Sequence, residues 1–353
     1  MTLDKRIPVA VLAATGSVGQ RFIQLLDGHP WFRVAALTGS ERRVGQTYGE
    51  SCHWILTDPM PVWARDMPIV PTTPDATGTK LVFSALPSGE AKTLEPIFAR
   101  EGVIVCSNAG AYRRDPFVPI LLPEVNADQL ALIPQQRAHH GWSGAIVTNS
   151  NCTSTGMVIA LRALDDAFGV EKVFAVSLQA ISGAGYPGVA AMDMIDNVVP
   201  YIGGEEEKVE WEPRKMLGKM VDGELVFADV AISAHTNRVP VRDGHTVCLS
   251  VAFTRPPADL AEVEAVLAAY QPPEAARDLP STPTPVIAVR PEPNRPQPRL
   301  DRMTGGGMTT VVGRLRPDPL FDLKLTVLSH NTIRGAAGGS IYNAELLVKA
   351  GLI

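Results

Sequence analysis

Short apolar runs alternate with helical patterns through the first 150 residues, and this alternation restricts the fold more than any other feature of the chain. Residues 7–13 (IPVAVLA) read as a buried strand and 17–27 as a helix, with Phe22, Leu25 and Leu26 at helical spacing. Further strands are expected at 33–38 (RVAALT), 81–85 (LVFSA), 103–106 (VIVC) and 145–148 (AIVT), with a helix around 90–100. Strands alternating with helices predict βαβ units, and therefore a parallel sheet covered by helices on both faces.

Beyond about residue 170 the pattern changes. Longer strand-like runs at 172–181, 245–254 and 321–328 predict a largely antiparallel sheet, with a helix across 187–199. The proline-rich stretch 271–299 reads as an irregular surface excursion. After Gly335, Gly338 and Gly339, residues 340–349 carry Ile341, Leu346 and Leu347 on one helical stripe. A chain of 353 residues exceeds one typical domain, so the two textures are read as two domains.

The charge balance excludes some function classes. The formal net charge is -5 with no block of Lys and Arg, which argues against nucleic acid and anionic membrane as partners. The opening residues run into a strand without a secretory h-region, and no apolar stretch approaches the roughly 20 residues of a membrane helix. Four cysteines without a CxxC pair argue against a zinc site or disulfide framework. The expectation is a soluble protein of a reducing cytoplasm.

Residues 13–19, Ala-Ala-Thr-Gly-Ser-Val-Gly, follow the first strand and open the first helix. This is a variant of the dinucleotide-binding turn G-x-G-x-x-G, with Ala13 at the first glycine position and Gly16 and Gly19 at the others. Thr15, Gly16, Ser17, Val18 and Gly19 are therefore candidate cofactor contacts, because a helix N-terminus offers free N–H groups to a pyrophosphate. After the second strand, where NAD enzymes tend to place an acid, this chain has Ser40, Glu41, Arg42 and Arg43. Hydroxyl and guanidinium groups suit a 2′-phosphate, so NADP is favoured over NAD, with Glu41 discordant.

Cys152 lies in Thr-Asn-Ser-Asn-Cys-Thr-Ser-Thr-Gly, at the start of a helix whose buried stripe holds Met157, Val158 and Leu161. A helix N-terminus lowers a thiol pKa, and its N–H groups, with Asn151 nearby, can hold an oxyanion. Alone, the residue fits equally a small buried hydrophobe. The polar flanks are poor core sequence and favour a nucleophile. Cys106 and Cys248 fall in apolar strand patterns and read as core, while Cys52 shows no activating neighbour. His245, at a turn–strand junction in Arg-Val-Pro-Val-Arg-Asp-Gly-His (238–245), is the candidate to exchange protons with the thiol or its adduct.

With Ser-Asn-Cys-Thr, Gln-Ala-Ile-Ser-Gly-Ala-Gly (179–185) and Arg-Val-Pro-Val-Arg-Asp-Gly-His in this order, the chain resembles the aspartate-β-semialdehyde dehydrogenases, and by Gly-Ser-Val-Gly-Gln-Arg-Phe (16–22) and Glu-Glu-Glu-Lys-Val (205–209) it resembles, within them, the branch found in archaea and fungi. The resemblance implies NADPH-linked reduction of L-aspartyl-4-phosphate to the semialdehyde through a thioester on Cys152, in the route to lysine, threonine and methionine. It implies His245 as acid–base residue, Gln179 positioning the thioester, Arg238 on the α-carboxylate and Glu212 on the α-amino group. Lys215 and Arg113 match phosphate-binding positions, while Ser182, Gly183, Gly185 and Asn331 match cofactor-contacting segments. Gly110 stands where the family often has serine.

The implied α/β fold is that of glyceraldehyde-3-phosphate dehydrogenase. It comprises a Rossmann-type NADP-binding domain over 1–152, an α+β catalytic and dimerisation domain over 153–331, and a C-terminal helix over 332–353 that returns to the first domain. A homodimer or homotetramer is expected through the second domain's sheet. Three rivals remain: a malonyl-CoA reductase on the same scaffold, an N-acetylglutamyl-phosphate reductase, and a non-catalytic NADP-binding protein. Glu212 opposes the first two, because neither substrate has a free α-amino group, and an intact Cys152 opposes the third. Glu212, Lys215 and Arg113 also fit ordinary surface charges.

Overall fold

The computed structural model describes residues 5–353. The chain divides into two compact units, one holding residues up to Leu121, Gln129–Asn149 and Ala336–Ile353, the other Leu122–Asp128 and Ser150–Gly335.

In the first unit, six strands form a parallel sheet: β1 (Ile7–Leu12), β2 (Phe32–Thr38), β3 (Ile69–Val70), β4 (Leu81–Ser84), β5 (Ile104–Ser107) and β6 (Ala145–Thr148). Their order is β3-β2-β1-β4-β5-β6. This is the dinucleotide-binding order, whose direction reverses at β1 and β4 and leaves a crevice at the strands' C-terminal ends. Every residue of β4, β5 and β6 is buried, as strands covered on both faces require. The helix Gly338–Lys349 belongs to this unit, and its Glu345 accepts from His29 Nε2 at 2.9 Å. His29 Nδ1 in turn accepts the Trp31 and Phe32 N–H groups, so the ring is a satisfied core histidine.

The turn after β1 packs more tightly than its sequence requires on its face. Gly19 leaves no room for a side chain, since a Cβ there would lie 2.5 Å from the Ala13 carbonyl oxygen. Ala13 holds a left-handed φ of 54°, the conformation that the missing first glycine would adopt without strain. It is fastened there by N–H bonds from Ala13 and Ala14 to Thr38 and by the Tyr48 hydroxyl on the Ala14 carbonyl.

The second unit is built on a mixed six-stranded sheet of β7 (Val170–Gln179), β10 (Ala231–Arg238), β11 (His245–Phe253), β12 (Ile287–Arg290), β13 (Thr310–Pro317) and β14 (Leu323–Ser329), with a separate hairpin of β8 (Lys219–Val221) and β9 (Glu224–Val226). The order is β10-β7-β11-β14-β13-β12; the two edge pairs are parallel and the inner pairs antiparallel. The helix Cys152–Phe168 packs on one face, burying Met157, Val158 and Leu161 completely.

Several expectations change here. Cys248 is exposed, because β11 alternates and turns Val247, Leu249 and Val251 to the core instead. The helix expected across 187–199 shrinks to Ala191–Met194; only Met194 is buried, so no packed stripe exists to hold a longer helix. The excursion 271–299 contains the edge strand β12, and β10, β13 and the helix Glu205–Met216 were not expected at all. Among the described residues, no helix is long and apolar enough to cross a membrane, and all four cysteines are free.

Candidate active site

Asn151 caps the helix Cys152–Phe168, its Oδ1 accepting the N–H groups of Thr153 (2.9 Å) and Ser154 (3.1 Å). The Asn151 N–H itself donates to Glu212 Oε2 at 2.6 Å. The N–H groups of Asn151, Thr153 and Ser154 are therefore engaged by side chains. The cap gives a rigid first turn that presents Cys152, half-buried, with Sγ 3.2 Å from His245 Nε2.

His245 begins β11 and is 1% exposed. Its Nδ1 accepts the Ala180 N–H at 3.0 Å, so the neutral ring carries its proton on Nε2, facing sulfur. Burial pushes its pKa down to about 3, with the nearby positive charge of Arg238 in support. The ring is thus a neutral hydrogen-bond donor to Sγ, where the sequence expectation was a group that takes up a proton. The fixed positive charge beside the thiol belongs to Arg238, which donates to the Ala180 carbonyl at 2.7 Å.

One expected result follows from the His245 shift. The unfolded chain binds a proton below pH ~6.5 that the folded ring accepts only near pH 3, so this contribution to stability is complete above 6.5 and is lost as pH falls towards 3. Between pH 7.5 and 5 the loss from this group is about 2 kcal/mol. Urea unfolding at the two pH values should show His245→Asn losing less stability than wild type by about that amount; equal losses would contradict the buried neutral ring.

Gln179, at the end of β7, is 1% exposed, and its Nε2 donates to Ser177 Oγ and Glu205 Oε1, both at 3.2 Å. Glu212 and Lys215, three residues apart on the helix Glu205–Met216, are 2% and 0% exposed, and Arg113 in the first unit is 7% exposed. The surface-charge reading of these three residues fails. Arg113 donates through Nε to the Asn149 carbonyl (2.9 Å) and through Nη2 to the Asn108 carbonyl (3.1 Å).

Asn331 ties two loops together, donating to Ser182 Oγ and accepting the Gly244 N–H, each at 2.8 Å. It thereby fixes the turn 182–185, where Gly183 lies against Arg238 and the His245 ring and Gly185 has a left-handed φ of 73°.

The first unit fits a dinucleotide. The helix Ser17–Leu25 starts at Gly16 with no side-chain cap, so its first N–H groups are available to a pyrophosphate; Thr15, Ser17 and Val18 flank it, half-buried. A cavity of about 850 Å³ is lined by Gly39, Ser40, Glu41, Arg42, Thr73 and Thr93, among others. Ser40 and Arg42 thus face one cavity, as a 2′-phosphate requires, with Glu41 beside them. Arg43 is not among its lining.

Residues 8–133 match the family model "Semialdehyde dehydrogenase, NAD binding domain", and residues 161–334 match "Semialdehyde dehydrogenase, dimerisation domain". An aspartate-semialdehyde dehydrogenase of Archaeoglobus fulgidus is 50% identical over 99% of this chain and 100% of its own length. The chain belongs to the aspartate-semialdehyde dehydrogenase family. A relative of the same name from Cryptococcus neoformans is 46% identical over the full length of both chains. The crystal structure of aspartate semialdehyde dehydrogenase with NADP from Candida albicans superposes with a TM-score of 0.90 at 40% identity, covering 99% of this chain and 100% of that one.

Within this family frame, sequence reasoning missed three groups. Glu205, 6% exposed, bonds Asn151 Nδ2 at 2.8 Å as well as Gln179. Gln20, one residue past the nucleotide turn, donates to the Thr15 and His53 carbonyls. Glu124 and Arg334, both with fully buried side chains, form a forked ion pair (Nε–Oε1 2.9 Å) that anchors the turn Ile333–Ala337. The runs Glu-Glu-Glu-Lys-Val and Gly-Ser-Val-Gly-Gln-Arg-Phe were visible signals for Glu205 and Gln20; nothing local marked Glu124 and Arg334.

Proposed function

We propose that the chain catalyses the reversible NADPH-dependent reductive dephosphorylation of L-aspartyl-4-phosphate to L-aspartate-4-semialdehyde. The observation that carries the reading is Cys152 Sγ at a capped helix start, 3.2 Å from a buried His245 donor and near Arg238, in a chain with a full-length family match.

In this reading the Cys152 thiolate attacks the acyl carbon, the carbon–oxygen bond to phosphate breaks, and a thioester forms. Arg238 and Glu212 hold the α-carboxylate and α-amino groups, and Arg113 and Lys215 receive phosphate. Residues 15–19, Ser40, Arg42, Ser182, Gly183, Gly185 and Asn331 hold NADPH, which when bound supplies the hydride for the thioester. The His245 Nε2–H then stabilises charge first on the hemithioacetal oxygen and, after the carbon–sulfur bond breaks, on the returning thiolate. This collapse needs no external proton, which accommodates a ring that stays neutral.

The protein is an oligomer in this reading, a homodimer or homotetramer assembled through the second unit. The exposed apolar side chains of Tyr186, Met192, Ile195 and Tyr201 in that unit support a second copy as their cover.

The test is formation of NADPH from aspartate semialdehyde, phosphate and NADP, with NAD in parallel and malonyl-CoA reduction alongside. Phosphate-dependent NADPH formation is the expected result. Malonyl-CoA reduction without it would replace this reading with the acyl-CoA alternative.

A further inference from the structure

Glu205 opens the helix Glu205–Met216 and is 6% exposed. Its Oε1 takes Asn151 Nδ2 (2.8 Å), Gln179 Nε2 (3.2 Å) and Thr153 Oγ1 (3.4 Å), while Oε2 pairs with Lys208 Nζ at 3.3 Å. A carboxylate bonded by three donors and an ammonium has only acceptor capacity to offer, so both side-chain amides must turn their NH2 groups towards it.

The two amides then have no choice of orientation. With Nδ2 on Glu205, Asn151 points Oδ1 at the Thr153 and Ser154 N–H groups and closes the helix cap. With one Nε2 hydrogen on Glu205 and the other on Ser177 Oγ, Gln179 has spent both donors. Its Oε1 has no donor among the described residues. Gln179 therefore meets a bound substrate as a hydrogen-bond acceptor and cannot donate to a thioester oxygen.

We infer that Glu205 is a positioning residue whose carboxylate sets the amide orientation of Asn151 and Gln179, and so decides that one caps the nucleophile's helix while the other presents only an acceptor to the substrate. The inference rests on the assignment of Cys152 as nucleophile, which the Cys152 substitutions below test separately. Buried supporting shells of this kind commonly change activity by one to two orders of magnitude when altered.

Glu205→Gln keeps the shape but supplies a donor, so either amide can flip. In the full-length protein, kcat should fall by roughly 10- to 100-fold while NADP affinity stays unchanged. Glu205→Asp, which restores an acceptor-only group, should recover much of that loss and serves if the glutamine variant does not fold. In a Gln179→Ala background the cost of Glu205→Gln should shrink by at least about threefold, because the removed amide can no longer be misoriented. An active wild type with Glu205→Gln at wild-type kcat, an Asp variant no better than the Gln variant, or additive costs in the double variant would each overturn the inference. An inactive wild type would instead mark failure of the functional reading.

Discussion

Cys152→Ser should abolish turnover although it exchanges one atom for a smaller one of the same valence. In Ser–His enzymes the ring nitrogen facing the nucleophile is unprotonated and removes its proton. Here Nδ1 is committed to the Ala180 N–H, so Nε2 carries the hydrogen and His245 cannot act as the base for position 152. A thiol can reach the reactive anion beside Arg238 without such a base; a serine hydroxyl, far less acidic, cannot. Loss of phosphate-dependent NADPH formation by more than about 10⁴-fold is expected for Ser and Ala alike, by analogy with removal of other nucleophiles. NADP titration should be unchanged in both. A serine variant with about 1% of wild-type activity would mean that His245 can act as a base, contradicting the tautomer derived above.

Gly335→Ala is expected to be the next most damaging change, at a residue that touches no substrate in the proposed reaction. A Cβ at Gly335 would lie 2.9 Å from Cys152 Cβ, 3.0 Å from its Cα and 3.2 Å from its carbonyl oxygen. Two of these atoms are backbone, so the conflict cannot be relieved by a side-chain rotation. Nor can position 335 retreat easily. Its N–H is bonded to the His330 carbonyl at 3.0 Å, and its neighbour Arg334 is locked to Glu124. The start of the Cys152 helix must therefore yield, and the 3.2 Å contact with His245 goes with it.

Displacements of this size at a nucleophile cost on the order of 10²-fold in rate, and overpacking costs about 1–3 kcal/mol of stability. The two effects can be separated by measuring kcat/KM, the rate of Cys152 alkylation by iodoacetamide, and urea unfolding. A normal alkylation rate with wild-type kcat/KM would show that the helix start absorbs the methyl group, and that Gly335 has no part in aiming the thiol.

Much of the fold was legible because its signals are local. Strand–helix alternation predicted the parallel sheet, since β4, β5 and β6 are buried throughout and read as unbroken apolar runs. The same logic failed for Cys248. A strand with one covered face buries alternate residues, and which alternate residues cannot be told from an apolar run alone. The segment 187–199 misled for a related reason: its apolar residues are largely exposed, so helical spacing had no core to face.

By itself the sequence determined the dinucleotide turn, the cysteine at a helix start and the order of Gln179, Arg238 and His245, because each is a short motif whose meaning depends on its immediate neighbours. Only the tertiary structure decided how those residues are used. The His245 tautomer depends on an N–H 65 positions away, the Asn151 cap on a carboxylate 54 positions away, and the packing of Cys152 on Gly335, at the far end of the second unit. Hydrogen-bond direction and steric exclusion act between atoms in contact, and no periodicity or spacing records which distant backbone will supply them.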